Sequence, residues 1–300
     1  MTTLGAIVNT ESVQPLAVVT VTFSPGHYLD DFLNSLEEAT TLPTTVVLAD
    51  NGSTDGVPEA AAAQRENVAF VDTGGNLGYG GGMNAGARWA REHGANEEFL
   101  LLANPDVTFA PGSVDKLIEC ARRHPEAAAI GPLIVEPDGS YYPSAREIPT
   151  LLTGIGHALF GAIWPSNPWS AAYQRGEDMD RERTAGWLSG SCVLVRWQAF
   201  EEIGGFDERY FMYMEDVDLG DRFRRAGWSN VLCPEAVITH AKGHSTEAHK
   251  GAMLRAHHAS AYRFQADRHP QWYKAPLRWA LRAGLGLRGF ALSSAARRQQ

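Results

Sequence analysis

The sequence is poor in cysteine, has no long apolar run and carries no excess of positive charge. Its three cysteines, Cys120, Cys192 and Cys233, lie far apart with no CxxC pair. That spacing argues against a disulfide scaffold and a cysteine zinc site, and it fits a reducing cytosol. No apolar stretch reaches the ~18 residues that a spanning helix requires. Leu151–Trp164 (LLTGIGHALFGAIW) is apolar but too short. Residues Met1–Gln14 lack the basic start and apolar block of a signal peptide. A net charge of -9 argues against a general nucleic-acid binder. No internal repeat and no low-complexity segment interrupts the chain.

What remains is the composition of a folded protein, 44% hydrophobic and 20% charged over 300 residues. The first half alternates short β-rich runs with helical spacing. Leu16–Phe23 (LAVVTVTF) reads as a strand buried on both faces. A helix over His27–Thr40 follows, then a strand at Thr45–Ala49, a helix at Val57–Arg65 and a strand at Val68–Asp72. A glycine-rich loop leads to a helix at Met83–His93, a strand at Phe99–Ala103 and a helix at Val114–His124. Such alternation predicts an α/β fold with a mainly parallel sheet. Ala128–Val135 and Ser191–Val195 read as further strands, Glu215–Ala226 as a helix, and the chain past Lys242 as helical.

In open parallel sheets ligands bind beyond the carboxyl ends of the strands. Three polar clusters fall there. In VVLADNGSTDG, Asp50 ends a strand and Asn51–Asp55 form a turn. This is either a capped strand–turn–helix or a carboxylate that reads a pyrimidine N3–H. In TGGNLGYGGGMNAG, Thr73–Gly86, the glycines allow close backbone approach, and the helix start favours phosphate. The position after a third strand and the spacing fit poorly with a dinucleotide fingerprint, and no GxxxxGK[ST] loop occurs. In LLLANPDVTF, Asn104 and Asp106 flank a proline and offer hard oxygen ligands to Mg²⁺ or Mn²⁺. Such a cation would offset repulsion between a diphosphate and the acids around it.

Two further segments carry chemistry. In RYFMYMEDVDLGDRFRRAGW, Glu215 and Asp216 follow a run of aromatic and Met residues. Desolvation there raises a carboxylate pKa and suits a general base. The alternative is an acidic first turn that complements the helix dipole. His240 and His244 are spaced i, i+4 but lack the Glu of HExxH, so a single metal-ligand His240 is more economical.

The ordered set ADNGSTDG, GGNLGYGGGMNAG, NPD and WLSGSCVLVRWQAFEEIGGFDERYFMYMEDVDLGDRFRRAGW resembles the inverting family-2 glycosyltransferases with a GT-A fold. Its detailed form is similar to their bacterial rhamnosyltransferase branch. The likeness runs over roughly residues 15–244, which implies a GT-A domain there, an extension at 1–14 and a basic helical extension at 245–300. It implies that Thr20 and Asp50 contact the pyrimidine base, that Asn51 belongs to the nucleotide-sugar site, and that Asn76 and Gly80, Gly81 and Gly82 lie along the nucleotide sugar. Asp106 and His240 would hold Mg²⁺ or Mn²⁺, with Asn104 standing where many relatives have Asp. Asp216 would be the catalytic base with Glu215 beside it, and Trp187 and Gly190 would border the acceptor. The implied donor is dTDP-β-L-rhamnose and the implied acceptor a polyprenyl-diphosphate-linked N-acetylglucosamine, used in building the cell-wall linker to arabinogalactan.

Residues Gln271–Gln300 contain Lys274, Arg278, Arg282, Arg288, Arg297 and Arg298 and no acid, mixed with Trp272, Tyr273, Trp279 and several leucines. This pattern fits either peripheral contact with the inner face of the plasma membrane or a packing helix of a homo-oligomer. Three rival functions stand beside the main one. They are transfer of another sugar such as galactofuranose, synthesis of the sugar nucleotide itself, and a non-catalytic sugar-nucleotide sensor. Synthesis of the nucleotide needs a basic triphosphate loop, and Ser24-Pro25-Gly26-His27 has no Lys or Arg.

Overall fold

A computed structural model describes residues 15–94, 98–150, 178–241 and 250–297. The extension 1–14, the apolar stretch at Leu151–Trp164, and His244 and His249 lie outside the described residues.

The core is one mixed sheet. Strands β1 (Leu16–Thr22), β2 (Thr44–Asp50), β3 (Val68–Asp72) and β4 (Phe99–Ala103) are parallel neighbours in the order β3-β2-β1-β4. Helices α1 (Tyr28–Ala39), α2 (Val57–Gln64) and α3 (Gly78–Glu92) connect them. Beyond β4 the sheet continues through β11 (Cys192–Arg196), β6 (Ala127–Val135), β12 (Ser229–His240) and β5 (Val107–Phe109). β11 runs antiparallel between β4 and β6, whereas β6 and β12 are parallel. Helix α4 (Ser113–Arg123) joins β5 to β6. Short strands β7 (Tyr141–Tyr142), β8 (Ala145–Arg146), β9 (Arg183–Ala185) and β10 (Trp187–Leu188) border this half. Helix α5 (Trp197–Glu202) follows β11, α6 (Glu215–Arg225) precedes β12, and α7 (Lys250–Arg268) and α8 (Ala275–Arg297) end the described chain.

Alternation of side chains sorts the core into two layers. Leu16, Val18, Val46, Leu48 and Leu101 face α1 and α4 with Phe32, Leu36 and Leu117. Ala17, Val19, Val47, Leu100 and Leu102 face α3 with Met83, Ala87 and Ala90. Both sheet faces are covered, which is why these strands read as unbroken apolar runs.

One boundary departs from the sequence reading. Helix α3 begins at Gly78 rather than Met83, so Gly80, Gly81 and Gly82 are helical and not part of a loop. The reason is packing. A Cβ at Gly86 would lie 2.4 Å from Val19 Cγ1, and one at Gly82 would lie 2.7 Å from Val21 Cγ2. Only glycine lets this helix sit so close to β1, and that contact offsets the poor helix propensity of a glycine run.

Candidate active site

Parallel strands bring their carboxyl ends to one edge, where the three polar clusters meet. The β2 loop leads. Asp50 is buried, and its carboxylate accepts from Thr22 Oγ1 at 2.6 Å, Ser53 Oγ at 2.5 Å, Gly52 N at 3.0 Å and Ser53 N at 2.8 Å. These bonds hold its pKa below the ordinary carboxylate value, although burial pulls the other way. Four donors fill about the four lone-pair sites a carboxylate offers. In this geometry Asp50 ties β1 to the β2 turn rather than facing outward. Thr20 is wholly buried, and its hydroxyl has no hydrogen-bond partner.

Asn51 joins this turn to the glycine-rich segment. Its Nδ2 donates to Gly78 O at 3.0 Å and to Asn76 Oδ1 at 3.4 Å, and its Oδ1 accepts from Thr73 Oγ1 at 2.9 Å. Asn76 and Leu77 are exposed beside it, whereas Gly80, Gly81 and Gly82 are buried against Phe206, Leu77 and Val21. Tyr79 then crosses to the far side of the site. Its hydroxyl donates a short hydrogen bond to Gly190 O. Burial, and then the charges of Glu215 and Asp216, push the Tyr79 phenol well above its ordinary pKa, so it stays neutral.

Gly190 N in turn donates to Asp216 Oδ2 at 3.2 Å, and Val217 N donates to Asp216 Oδ1 at 2.8 Å. Asp216 is half-buried and Glu215 is buried. Burial pushes the Asp216 carboxyl up, opposed by the Gly190 and Val217 amides and by the charge of Arg146. Burial, and then the Asp216 charge, push Glu215 up to about 8, and its Oε2 has no hydrogen-bond partner. Two adjacent carboxyls in such a setting titrate as a pair and keep a proton to higher pH than an ordinary carboxylate. Tyr213 and Met214, just ahead of the pair, have φ of 67° and 68°. Two successive left-handed non-glycine residues cost of order 1–3 kcal/mol each and persist only where the surroundings hold them. Ser260 Oγ of α7 donates to Met212 O at 2.8 Å, His257 packs on the Tyr213 ring, and Phe264 buries Val217 and Tyr210.

The third cluster completes the edge. Asn104 N donates to Ser191 O at 2.8 Å, next to Gly190. His240 ends β12 opposite Val107, and its Nε2 lies 3.1 Å from Asp106 Oδ1 and 3.4 Å from Asn104 Nδ2. His240 and Asp106 side chains are 13% and 15% exposed, so the pair is sheltered yet reachable. A carboxylate oxygen, an imidazole nitrogen and an amide that presents oxygen on rotation form a donor set suited to a divalent cation. The expected residues therefore divide. Asp106, Asn104, His240, Gly190, Asp216 and Glu215 come together through the 189–192 segment. Asp50 and Thr20 are drawn inward. Trp187 sits beside Arg146, whose guanidinium lies 5.9 Å from its ring, and donates Nε1–H to Glu147 O.

Residues 17–204 match the model of glycosyl transferase family 2. The chain belongs to that family. It is 52% identical over 285 residues to the N-acetylglucosaminyl-diphospho-decaprenol L-rhamnosyltransferase of Mycobacterium tuberculosis, covering 91% of each chain. A mannosyltransferase from Pyrobaculum calidifontis, solved with GDP-Man and Mn²⁺, shares the fold at TM-score 0.58 and 14% identity. That match covers 95% of this chain and 76% of the other. GalNAc-T7, solved with UDP, GalNAc and Mn²⁺, matches at TM-score 0.55 and 13% identity over 78% and 45% of the two chains. The glycosyltransferase fold is thus GT-A.

Two positions in this family-2 site escape a reading by spacing. Tyr79 lies within the glycine run as its lone aromatic, and that contrast is the signal available in the sequence. Arg146 lies in an ordinary SAREIP stretch and carries no local signal at all.

The raised pKa of Glu215 has a consequence for stability. Its folded pKa is raised, so the folded state keeps a proton that the unfolded chain gives up at ordinary carboxylate pH. The stability this gives is complete at low pH and is lost as pH rises through about 8. Glu215→Gln removes the titration. Its melting temperature gains on that of the parent by a few degrees between about pH 6 and pH 9. Parallel slopes in a thermal series over that range would refute the raised Glu215.

Proposed function

We infer that this chain transfers L-rhamnose from dTDP-β-L-rhamnose, with inversion, to a polyprenyl-diphosphate-linked N-acetylglucosamine. The observation that carries this reading is the 52% identity to the mycobacterial rhamnosyltransferase over 91% of both chains. The geometry of the acid pair supports it. Asp216 accepts two backbone N–H bonds that hold both its oxygens, and its half-buried carboxylate is the base that removes the proton from the acceptor hydroxyl. As that oxygen bonds to the anomeric carbon, the bond from carbon to the diphosphate oxygen breaks. A single displacement turns the β-linked donor into an α-linked product. Glu215, kept protonated, leaves one negative charge beside the reacting hydroxyl rather than two. Asp106 and His240, with Asn104 beside them, would hold Mg²⁺ or Mn²⁺, which supplies charge neutralisation at the departing diphosphate. Asn51, Asn76 and the opening of α3 border the nucleotide, Gly80–Gly82 give the helix its close seat under it, and Asp50 and Thr20 support the base-side turn from within. Trp187 and Gly190 border the acceptor.

The test is incubation with dTDP-rhamnose and short-chain polyprenyl-diphosphate-N-acetylglucosamine, read by mass spectrometry of the lipid. One deoxyhexose is gained, and a chelator suppresses the gain. Transfer from UDP-galactofuranose but not from dTDP-rhamnose overturns the donor assignment.

Among the described residues no helix is long and apolar enough to cross a membrane. The lipid-linked acceptor instead meets the enzyme at the cytoplasmic membrane surface through the α7–α8 corner. Trp272, Tyr273 and Trp279 are 84%, 61% and 72% exposed there, and Lys274, Arg278 and Arg282 lie among them. Exposed indoles beside cations suit an anionic interface. Replacing both Trp272 and Trp279 by Ala lowers co-sedimentation with anionic liposomes by about tenfold or more, at roughly 0.8 kcal/mol per buried CH₂ equivalent. Unchanged co-sedimentation removes this surface from the membrane reading and favours a packing interface.

A further inference from the structure

A second constellation of ligand-type side chains lies away from the loops described above. Helix α4 ends with Cys120 and His124, one turn apart on the same face. His124 Nε2 lies 2.7 Å from Glu182 Oε1, and Cys120 Sγ lies 3.5 Å from Glu182 Oε2. The three ligand atoms of Cys120, His124 and Glu182 are within 4.8 Å of one another. Cys233 of β12 lies beside Cys120, and its thiol donates to Lys116 O at 3.8 Å. Both thiols are free and buried. We propose that Cys120, His124 and Glu182 bind a zinc ion.

Several independent features favour a metal over a chance cluster. A sulfur, an imidazole and one carboxylate make a three-ligand set that zinc accepts, with a water completing four-coordination, and a poor one for Mg²⁺. His124 Nδ1 lies 3.2 Å from Glu126 Oε1. A carboxylate there fixes the proton on Nδ1 and turns the Nε2 lone pair toward Cys120 and Glu182, the arrangement that metal-bound histidines show. The charges also close. Zinc with one thiolate and one carboxylate is neutral, and the Arg123 guanidinium, 2.5 Å from Glu182 Oε2, keeps that carboxylate ionised.

The far-apart cysteines exclude only zinc sites built locally in sequence. Here the ligands come from α4 and from the segment ahead of β9, and only the fold brings them together. Cys233, beside Cys120, lies seven residues before His240 along β12, about 23 Å at ~3.3 Å per residue, so the site is separate from Asp106 and His240. Binding releases the Cys120 thiol proton and leaves the imidazole neutral. The ion fastens Glu182, and with it the strands that lead through Trp187 to Gly190, to the back of the sheet.

The test uses the full-length protein, stripped of metal and kept reduced with a phosphine, with free thiols counted beforehand. Titration with Co²⁺ gives one equivalent with a thiolate-to-cobalt charge-transfer band and the visible bands of a tetrahedral ion. Cys120→Ser removes the charge-transfer band. Glu182→Gln and Glu126→Gln, which leave the core untouched, weaken zinc by about tenfold or more in competition with a chromophoric chelator. A double variant of Asp106→Asn and His240→Ala leaves the band unchanged. A missing band in the reduced parent protein overturns the proposal, as does a band that survives Cys120→Ser at full strength. Zinc affinity unmoved by Glu182→Gln removes that residue from the site and leaves Glu182 as the ion-pair partner of His124 and Arg123.

Discussion

At the proposed base, Asp216→Asn reduces rhamnosyl transfer by about 10²–10⁴-fold, the span a positioned base contributes, and leaves binding of the proposed dTDP-rhamnose donor within a few-fold of the parent. The substitution is close to isosteric, but it is not silent. Asp216 accepts from Val217 N on one oxygen and from Gly190 N on the other. An amide can satisfy only one of these donors and turns its own NH₂ toward the second. The Gly190 side of the site therefore loosens slightly while the nucleotide side, anchored through Asn51 and Thr73, is untouched. Steady-state transfer and calorimetric titration of the donor separate the two effects. A loss of donor affinity as large as the loss of turnover would move Asp216 from proton transfer to donor binding. Restoration of activity in Asp216→Asn at high pH would make Glu215 the base.

Gly78→Ala is the second large effect. Gly78 has φ of 74°, and a Cβ there would lie 2.1 Å from Phe211 O. The clash is with backbone, and that backbone belongs to the segment leading into the acid pair. Tyr79 N donates to the same carbonyl at 3.2 Å. Relief requires α3 and the 206–214 segment to part. The expected cost is about 3 kcal/mol or more, combining left-handed strain with overpacking. Gly74→Ala is the matched control. Gly74 has φ of 79° and open space around its Cβ position, so only the conformational cost of about 1–2 kcal/mol remains. Denaturant unfolding of the two variants reads the difference. Equal losses would show that the approach to Phe211 carries no strain. Gly78→Ala also lowers turnover, because Tyr79 and Gly190 lose their register on Asp216.

Much of this was legible in the residues, for identifiable reasons. Phe99–Ala103 is bounded as its apolar run predicts, since burial on both faces leaves a continuous signal, and Val68–Asp72, a partly exposed edge strand, keeps the bounds of its β-branched run. The start of α3 was not legible. Glycine opposes helix, and only the close seat on Val19 and Val21 reverses that preference. Strand β5 is three residues long and exists because β12 pairs with it, a partner more than a hundred residues away. The loop clusters after β2, β3 and β4 meet because parallel strands share one carboxyl edge. The direction of each side chain on that edge is set by hydrogen bonds that no spacing encodes. Asp50 turns inward because Thr22, Ser53 and Gly52 claim it. Tyr79 matters because its hydroxyl reaches a carbonyl contributed from the other half of the chain.

The left-handed pair Tyr213–Met214 bears on where this enzyme can be cut. Its torsions are braced by Ser260, His257 and Phe264, all of which come from α7. Trimming the chain ahead of α7 would leave every strand of the sheet in place and still unfasten the turn that aims the proposed base. Helix α7 therefore acts as a splint for the acid pair, whatever surface it also meets.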